Sequence, residues 1–189
     1  MKEQQKKYEL TDEFIEHWSG KKLYRIRALV TFGIVVAGQL GGFVESEKNL
    51  DQSLSGNAWV YGDAQVSGDA RVYGNARVSG DALVYGNAWV SGDALVSGDA
   101  QVSGNARVRS YAVISELKTI FWASNIGSEN GTLTVFNGKD GLIVTRGCFT
   151  GTVDEFLAKS AEVHDDKTKN EYKLLIEVAR SRILGVKDE

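Results

Sequence analysis

The sequence predicts a mainly β protein built on a parallel β-helix, and three observations carry that prediction. Every sixth residue from Leu54 to Val108 is aliphatic. Four places after nearly every one stands an alanine, from Ala58 through Ala112. Before almost all of these alanines comes Gly-Asn or Gly-Asp, as in Gly56-Asn57-Ala58 and Gly62-Asp63-Ala64. A strict short period with aliphatic, small and turn residues in fixed phase marks a solenoid, whose coils bury their inner faces only by stacking. Valine and alanine then alternate toward the axis, and glycine with Asn or Asp supplies the corners.

Ahead of the repeat, Tyr8-Glu-Leu, Phe14-Ile-Glu-His-Trp18 and Leu23-Tyr-Arg-Ile-Arg-Ala-Leu29 are alternating and rich in aromatics, with Ser19-Gly20 as a turn signal. Two or three short strands are expected there. Gly41-Gly42-Phe43-Val44 and Leu50 lead into the repeat as an irregular capping coil, since an open solenoid end presents unpaired strand edges. Past Val108, the residues Ile114, Ile120 and Ile126 keep the phase and extend the helix beyond its obvious repeat. Thr132-Leu-Thr-Val-Phe136 and Leu142-Ile-Val-Thr145 flank Asn137-Gly-Lys-Asp-Gly141, a hairpin signal. Thr152-Val-Asp-Glu155 is a capping box that opens a helix through Phe156, Leu157 and Val163. Tyr172, Leu175, Ile176, Ala179 and Ile183 recur at helical spacing and mark a second helix. The resulting ββαα unit is expected to pack on the β-helix end or on a neighbouring chain. The organisation is thus an N-terminal β cap over 1–50, the β-helix over 51–128 and a C-terminal α+β module over 129–189.

Composition narrows the partners. Among 189 residues, 42% are hydrophobic, enough for a packed core, and the net charge of −3 predicts no generic nucleic-acid binding. The apolar run Ile34-Val35-Val36-Ala37 is too short for a signal segment or a membrane span, so no membrane association and a cytoplasmic location in a host cell are expected. Cys148 is the single cysteine, which excludes an internal disulfide framework and any multi-cysteine zinc site. There is no proline to build a stiff linker.

The repeat resembles that of hexapeptide-repeat proteins, and the resemblance implies a left-handed parallel β-helix in which three hexads close one triangular coil. Each coil of 18 residues would rise by one strand spacing, roughly 4.8 Å, giving a prism under roughly 20 Å tall. The segment from Leu23-Tyr-Arg-Ile-Arg-Ala-Leu29 through Gly33, Val36-Ala-Gly38, Leu40–Leu50 and Gly56-Asn-Ala-Trp-Val60 is similar to an entry segment of hexapeptide-repeat proteins of phages and prophages, which are often labelled transferases. Arg146-Gly-Cys-Phe-Thr-Gly-Thr-Val-Asp-Glu-Phe156 looks like a module attached to repeat proteins of phage origin. Together these imply phage or mobile-element ancestry and no particular reaction.

On that coil period, residues flanking each valine fall on three outward faces. One carries Arg71, Tyr73, Trp89, Arg107 and Arg109. It is the ligand candidate, because guanidinium groups fork onto phosphates and aromatic faces stack on bases. The plainer alternative is that these arginines answer the Asp-rich corners and keep the surface soluble. A second face carries Trp59, Tyr61, Arg77, Leu95 and Val113, of which Trp59, Tyr61 and Leu95 are the candidate oligomer interface, with a homotrimer expected. Stacking between coils is the alternative role for those side chains. The third holds Gln65, Leu83, Tyr85 and Gln101 with serines. The period also stacks Asp63, Asp81 and Asp99 in one corner column, which could recruit a cation, although hydrated carboxylates in Gly-Asp turns are the favoured reading.

Catalysis finds little support. Hexapeptide acyltransferases need a general base, usually histidine, whereas the coils from Leu54 to Val108 contain none; His17 and His164 lie outside them. Two histidines are too few for a three-histidine zinc centre. Cys148 with His164 as base, near Arg146, is a second catalytic idea, against which a buried structural cysteine is favoured. No cofactor, catalytic residue or bound metal is therefore expected. Three function classes stay open: a non-enzymatic oligomer that captures a small anionic, nucleotide-like signal or a host protein, a capture that would counter host defence; a structural or assembly protein of a phage particle; and an acyltransferase-like enzyme.

Overall fold

The computed structural model describes residues 5–185; Met1–Gln4 of the charged start and Val186–Glu189 lie outside them. Strands β1 (Tyr8–Glu16) and β2 (Lys22–Ala28) form an antiparallel hairpin, and β3 (Leu40–Val44) pairs antiparallel with β2. Ten two-residue rungs follow as β4 to β13: Trp59–Val60, Gln65–Val66, Arg71–Val72, Arg77–Val78, Leu83–Val84, Trp89–Val90, Leu95–Val96, Gln101–Val102, Arg107–Val108 and Val113–Ile114. In each rung the second residue is buried on the axis, together with the alanine that precedes the rung. The rungs stack in parallel into three sheets, one of which continues through β3 and β2 to β1. The protein is thus mainly β, a parallel β-solenoid of about four coils with an α+β part behind it.

Two expectations at the entrance are corrected. The segment through Val44 is no irregular coil. β3 is the first rung, with Phe43 opposite Gln65 and Val44 opposite Val66, and Leu50 bridges Val72. Leu54, which the period places in phase, is 50% exposed. The true first coil runs Val44, Leu50, Val60, and four extra residues between Leu50 and Val60 carry Leu54 outward: the step from Leu50 to Val72 is 22 residues, that from Val60 to Val78 is 18. Gly42 permits this junction, because a Cβ there would stand 2.5 Å from the Ala64 carbonyl oxygen.

At the edges of each rung the backbone N–H groups donate to the next coil, while the parallel ladder within the rung returns bonds the other way. Arg71 N–H donates to Ala88 O at 2.9 Å, Tyr73 N–H to Val90 O at 3.1 Å and Asn75 N–H to Gly92 O at 2.9 Å, all from an earlier coil to the next. The matching carbonyls of the first coil have no coil before them, and buried unpaired carbonyls are costly. The N-terminal cap supplies donors. Lys7, fully buried, puts its Nζ 3.4 Å from Gly56 O and 3.2 Å from Ala58 O, and Tyr8 Oη donates to Leu50 O at 2.7 Å. Burial pulls the Lys7 ammonium below its usual range, which Asp51 partly offsets. At the far end the last coil needs both kinds of partner: Arg107 N–H donates to the buried Thr134 Oγ1 at 3.1 Å, and Thr145 Oγ1 donates to Arg107 O at 2.6 Å.

Trp59 is the keystone of the entrance. Its indole is fully buried, edge-on to Phe32 at 5.4 Å and Tyr8 at 6.0 Å between ring centroids. Its assignment to an oligomer interface is therefore corrected: the chain's own cap covers it. Tyr61 is likewise partly buried against the core.

Beyond Ile114 the solenoid stops. Ile120 and Ile126 bound an antiparallel strand, β14 (Ile120–Ile126), which pairs with β15 (Gly131–Gly138); β16 (Gly141–Arg146) and β17 (Phe149–Thr152) complete a four-stranded sheet. The repeat phase still carries Ile120 into the core of the rungs, whereas Ile126 belongs to a second core. The expected hairpin is present, with Gly138 opposite Gly141. α1 (Val153–Val163) begins at the expected capping box, with Glu155 N–H on Thr152 Oγ1 at 3.2 Å and Thr152 N–H on Glu155 Oε2 at 2.7 Å. α2 (Asp166–Leu184) buries Tyr172, Ile176, Ala179 and Ile183 in a second core with Leu133, Val135 and Val144. The helices thus pack on their own sheet, and the sheet seals the solenoid through Phe136.

Trp59→Ala should cost about 3–5 kcal/mol in urea unfolding, because the cap cannot collapse into the space; a loss under about 1 kcal/mol would show that the entrance does not depend on it. Burial, then the Glu47 and Asp51 carboxylates, push the Tyr8 phenol far above its ordinary 10.0. A raised folded-state pKa stabilises fully below the unfolded value and loses that stabilisation above it. Unfolding free energy should therefore fall above pH 10 by up to about 1.4 kcal/mol per pH unit, and Tyr8→Phe should flatten the slope.

Candidate functional site

Parallel stacking places Arg71 and Arg107 in register on either side of Trp89. Their guanidinium carbons lie over the same indole, 5.9 Å and 4.9 Å from its centroid. Tyr73 meets the same ring edge-on at 6.2 Å. A groove of about 510 Å³ opens here. Its floor is Arg71, Trp89 and Arg107, one rim is the corner column Asp69, Asn87 and Asn105, and the other comes from the C-terminal sheet through Asn130–Thr132, Arg146 and Gly147. Three of the five predicted ligand residues, Arg71, Trp89 and Arg107, line the groove; Tyr73 meets the Trp89 ring, but neither it nor Arg109, each on the far flank of its rung's valine, lines the groove.

The reading in which corner aspartates neutralise these arginines fails at the level of contacts. Among the described residues, Arg71, Arg107, Arg109 and Arg146 have no carboxylate within 4.0 Å. Asp69, the acidic residue on the rim, is taken by Lys48 at 2.8 Å, and this contact holds its carboxyl below the usual range. Arg146 was legible only as a cation near Cys148. In the fold its Nε donates to Tyr172 Oη at 3.1 Å and its Nη2 to Ile126 O at 3.3 Å, both neutral acceptors. A part-buried guanidinium so held keeps donors free for an anion. No spacing in the sequence links residue 146 to residues 71 and 107, because the return of β16 onto the prism is a tertiary event.

The corners behave differently by column. Asn57 Nδ2 donates to Asn75 Oδ1 at 3.2 Å, and Asn75 Nδ2 to Asp93 Oδ1 at 3.0 Å, forming an amide ladder up one edge. Asn87 Nδ2 donates to Asn105 Oδ1 at 3.2 Å on another. The Asp63, Asp81 and Asp99 column has no amide to donate, and among the described residues no group of three or more His, Cys, Asp or Glu gathers in a metal-binding arrangement.

Cys148 is exposed at the turn between β16 and β17, which corrects the expectation of a buried cysteine. Gly147 precedes it at φ +58, and the tight turn holds the thiol out of the core. Cys148 and His164 line one pocket of about 200 Å³, with no hydrogen bond between them. His17 sits in the hairpin turn, its Nδ1 2.7 Å from Ser19 Oγ.

Residues 64–79, 76–92 and 100–116 match the profile of the YdcK beta-solenoid repeat, so the prism is similar to that family's repeat and both caps lie outside the match. No curated protein matches the chain.

Asn75→Asp should destabilise the prism by about 1–2 kcal/mol, since it removes one ladder donor and sets two carboxylates one coil apart. Molar salt should recover part of the loss; an unchanged urea midpoint at low salt would mean that the ladder does not contribute.

Proposed function

We propose that the protein is a non-enzymatic binding protein that captures an anionic partner along the Arg71–Trp89–Arg107 groove. The observation that carries this reading is that guanidinium groups flank an indole and, among the described residues, no carboxylate lies within 4.0 Å of them. Unneutralised cations beside a stacking surface are stabilised by an incoming anion, and such capture needs no general base. The partner is a small nucleotide-like anion or an acidic strip of a host protein.

The phage-type resemblance of the entry segment supports action inside an infected host cell, with a signal of host defence as the captured species. A homotrimer is proposed for the assembly. It rests on Leu95 and Val113, paired on adjacent coils and 37% and 40% exposed, now without Trp59. Sealing of both solenoid ends by caps argues against end-to-end stacking into a fibre of a phage particle.

Native mass measurement on protein purified from a nucleotide-rich extract should give three times the denatured mass, plus a small adduct released on denaturation. The triple variant Arg71→Ala, Trp89→Ala, Arg107→Ala should keep its assembly and lose the adduct. An adduct retained by that variant would remove the groove from consideration, and a monomer would overturn the trimer.

A further inference from the structure

The pocket beside Cys148 adjoins the groove. Arg146 and Gly147 line both, so one guanidinium forms the partition between them. On the groove side that guanidinium covers Gly131, where a Cβ would stand 2.3 Å from Arg146 Nη1. On the pocket side it holds Tyr172 Oη. The two concavities differ in chemistry. The groove is cationic, rimmed by amides and by Asp69, whereas the pocket is walled by rings, with Glu129 also on its lining: Phe149 and Phe156 at 5.5 Å, Phe156 and Tyr172 at 5.1 Å, His164 and Tyr172 at 5.4 Å.

The pocket's size is also selective. Its 200 Å³ equals about seven waters at ~30 Å³ each, the scale of one planar ring system. Lys159 sits 5.7 Å over the Phe149 ring at its mouth. Aromatic walls beside a cationic groove suit a molecule with a flat heterocycle at one end and phosphates at the other.

We infer that groove and pocket are two halves of one nucleotide site, the groove holding the phosphates of a nucleoside di- or triphosphate, the pocket its base, and Arg146 standing between them. This rests on the reading of the groove as an anion site and adds the base to it. Arg71, Arg107 and Arg146 approach the phosphate chain from two elements, the prism and the C-terminal sheet. The heterocycle then lies against Phe149 and Tyr172 and covers Cys148.

The full chain carries its own reporter, because Cys148 is its single, exposed cysteine. ADP, GDP and inorganic pyrophosphate are titrated by calorimetry, and the rate at which a disulfide reagent labels Cys148 is followed with each. ADP or GDP should bind about tenfold more tightly than pyrophosphate, the scale of one base stacked on aromatic rings, and should slow labelling several-fold while pyrophosphate does not. Val163→Trp, at a 61% exposed position on the pocket wall, should reduce nucleotide affinity to that of pyrophosphate without lowering the melting temperature. Equal affinities with no thiol protection, or a nucleotide preference that survives Val163→Trp, would overturn the two-part site and leave the groove reading standing. Failure of all three probes to bind would overturn the two-part site and the small-anion form of the groove reading, leaving an acidic protein strip as the groove's partner.

Discussion

The stack of coils depends on one constraint: every coil shares its backbone hydrogen bonds with the coils on either side, and the series must end somewhere. A two-residue rung has too little surface to persist alone, so each is held by the rungs above and below and by the Val-Ala axis. The ends then carry the whole burden of unpaired polar groups. At the entrance these include the Gly56 and Ala58 carbonyls, and a buried lysine and a tyrosine hydroxyl answer them. At the exit the Arg107 N–H meets a threonine hydroxyl.

Burying Lys7 is the more demanding of these solutions. Its ammonium lies 4.9 Å from the Phe32 ring centroid and is bonded to carbonyls, with no carboxylate of the described residues in salt-bridge contact, so dipoles and a π face hold the cation. The same entrance buries Trp59 with its Nε1 unpartnered. Both costs are offset by closing the apolar axis to water across the width of the prism, which a loose coil could not do.

The exit cap has a second consequence. Laying β15 and β16 across the last coil carries the Arg146 turn to the edge of the Arg71–Trp89–Arg107 face. A flat strip of solenoid becomes a groove with two walls. Sealing the end and shaping the site are therefore one packing event, and the Thr134 and Thr145 hydroxyls that bond Arg107 backbone atoms also fix the rung whose side chain floors the groove.

The amino-acid sequence by itself determined the solenoid, its rungs, the inward residues, the Arg–Trp–Arg column, the 137–141 hairpin and the helix start at Thr152. Each is a local or periodic property, because a coil of fixed length converts spacing directly into neighbourhood. The tertiary structure alone decided the rest. Leu54 keeps the period yet points outward, because four residues inserted after Leu50 shift the first coil, and only pairing across coils reveals which aliphatic residue faces the axis. Ile120 and Ile126 keep it too, yet serve an antiparallel strand, since an isoleucine fits either pleat. Trp59 reads as an outward interface residue until a hairpin far away in sequence covers it, and Cys148 reads as buried until a tight turn lifts it out. Arg146 joins Arg71 and Arg107 only because β16 folds back on the prism. Contacts between segments with no shared period leave no trace in spacing, and these place the caps and complete the site.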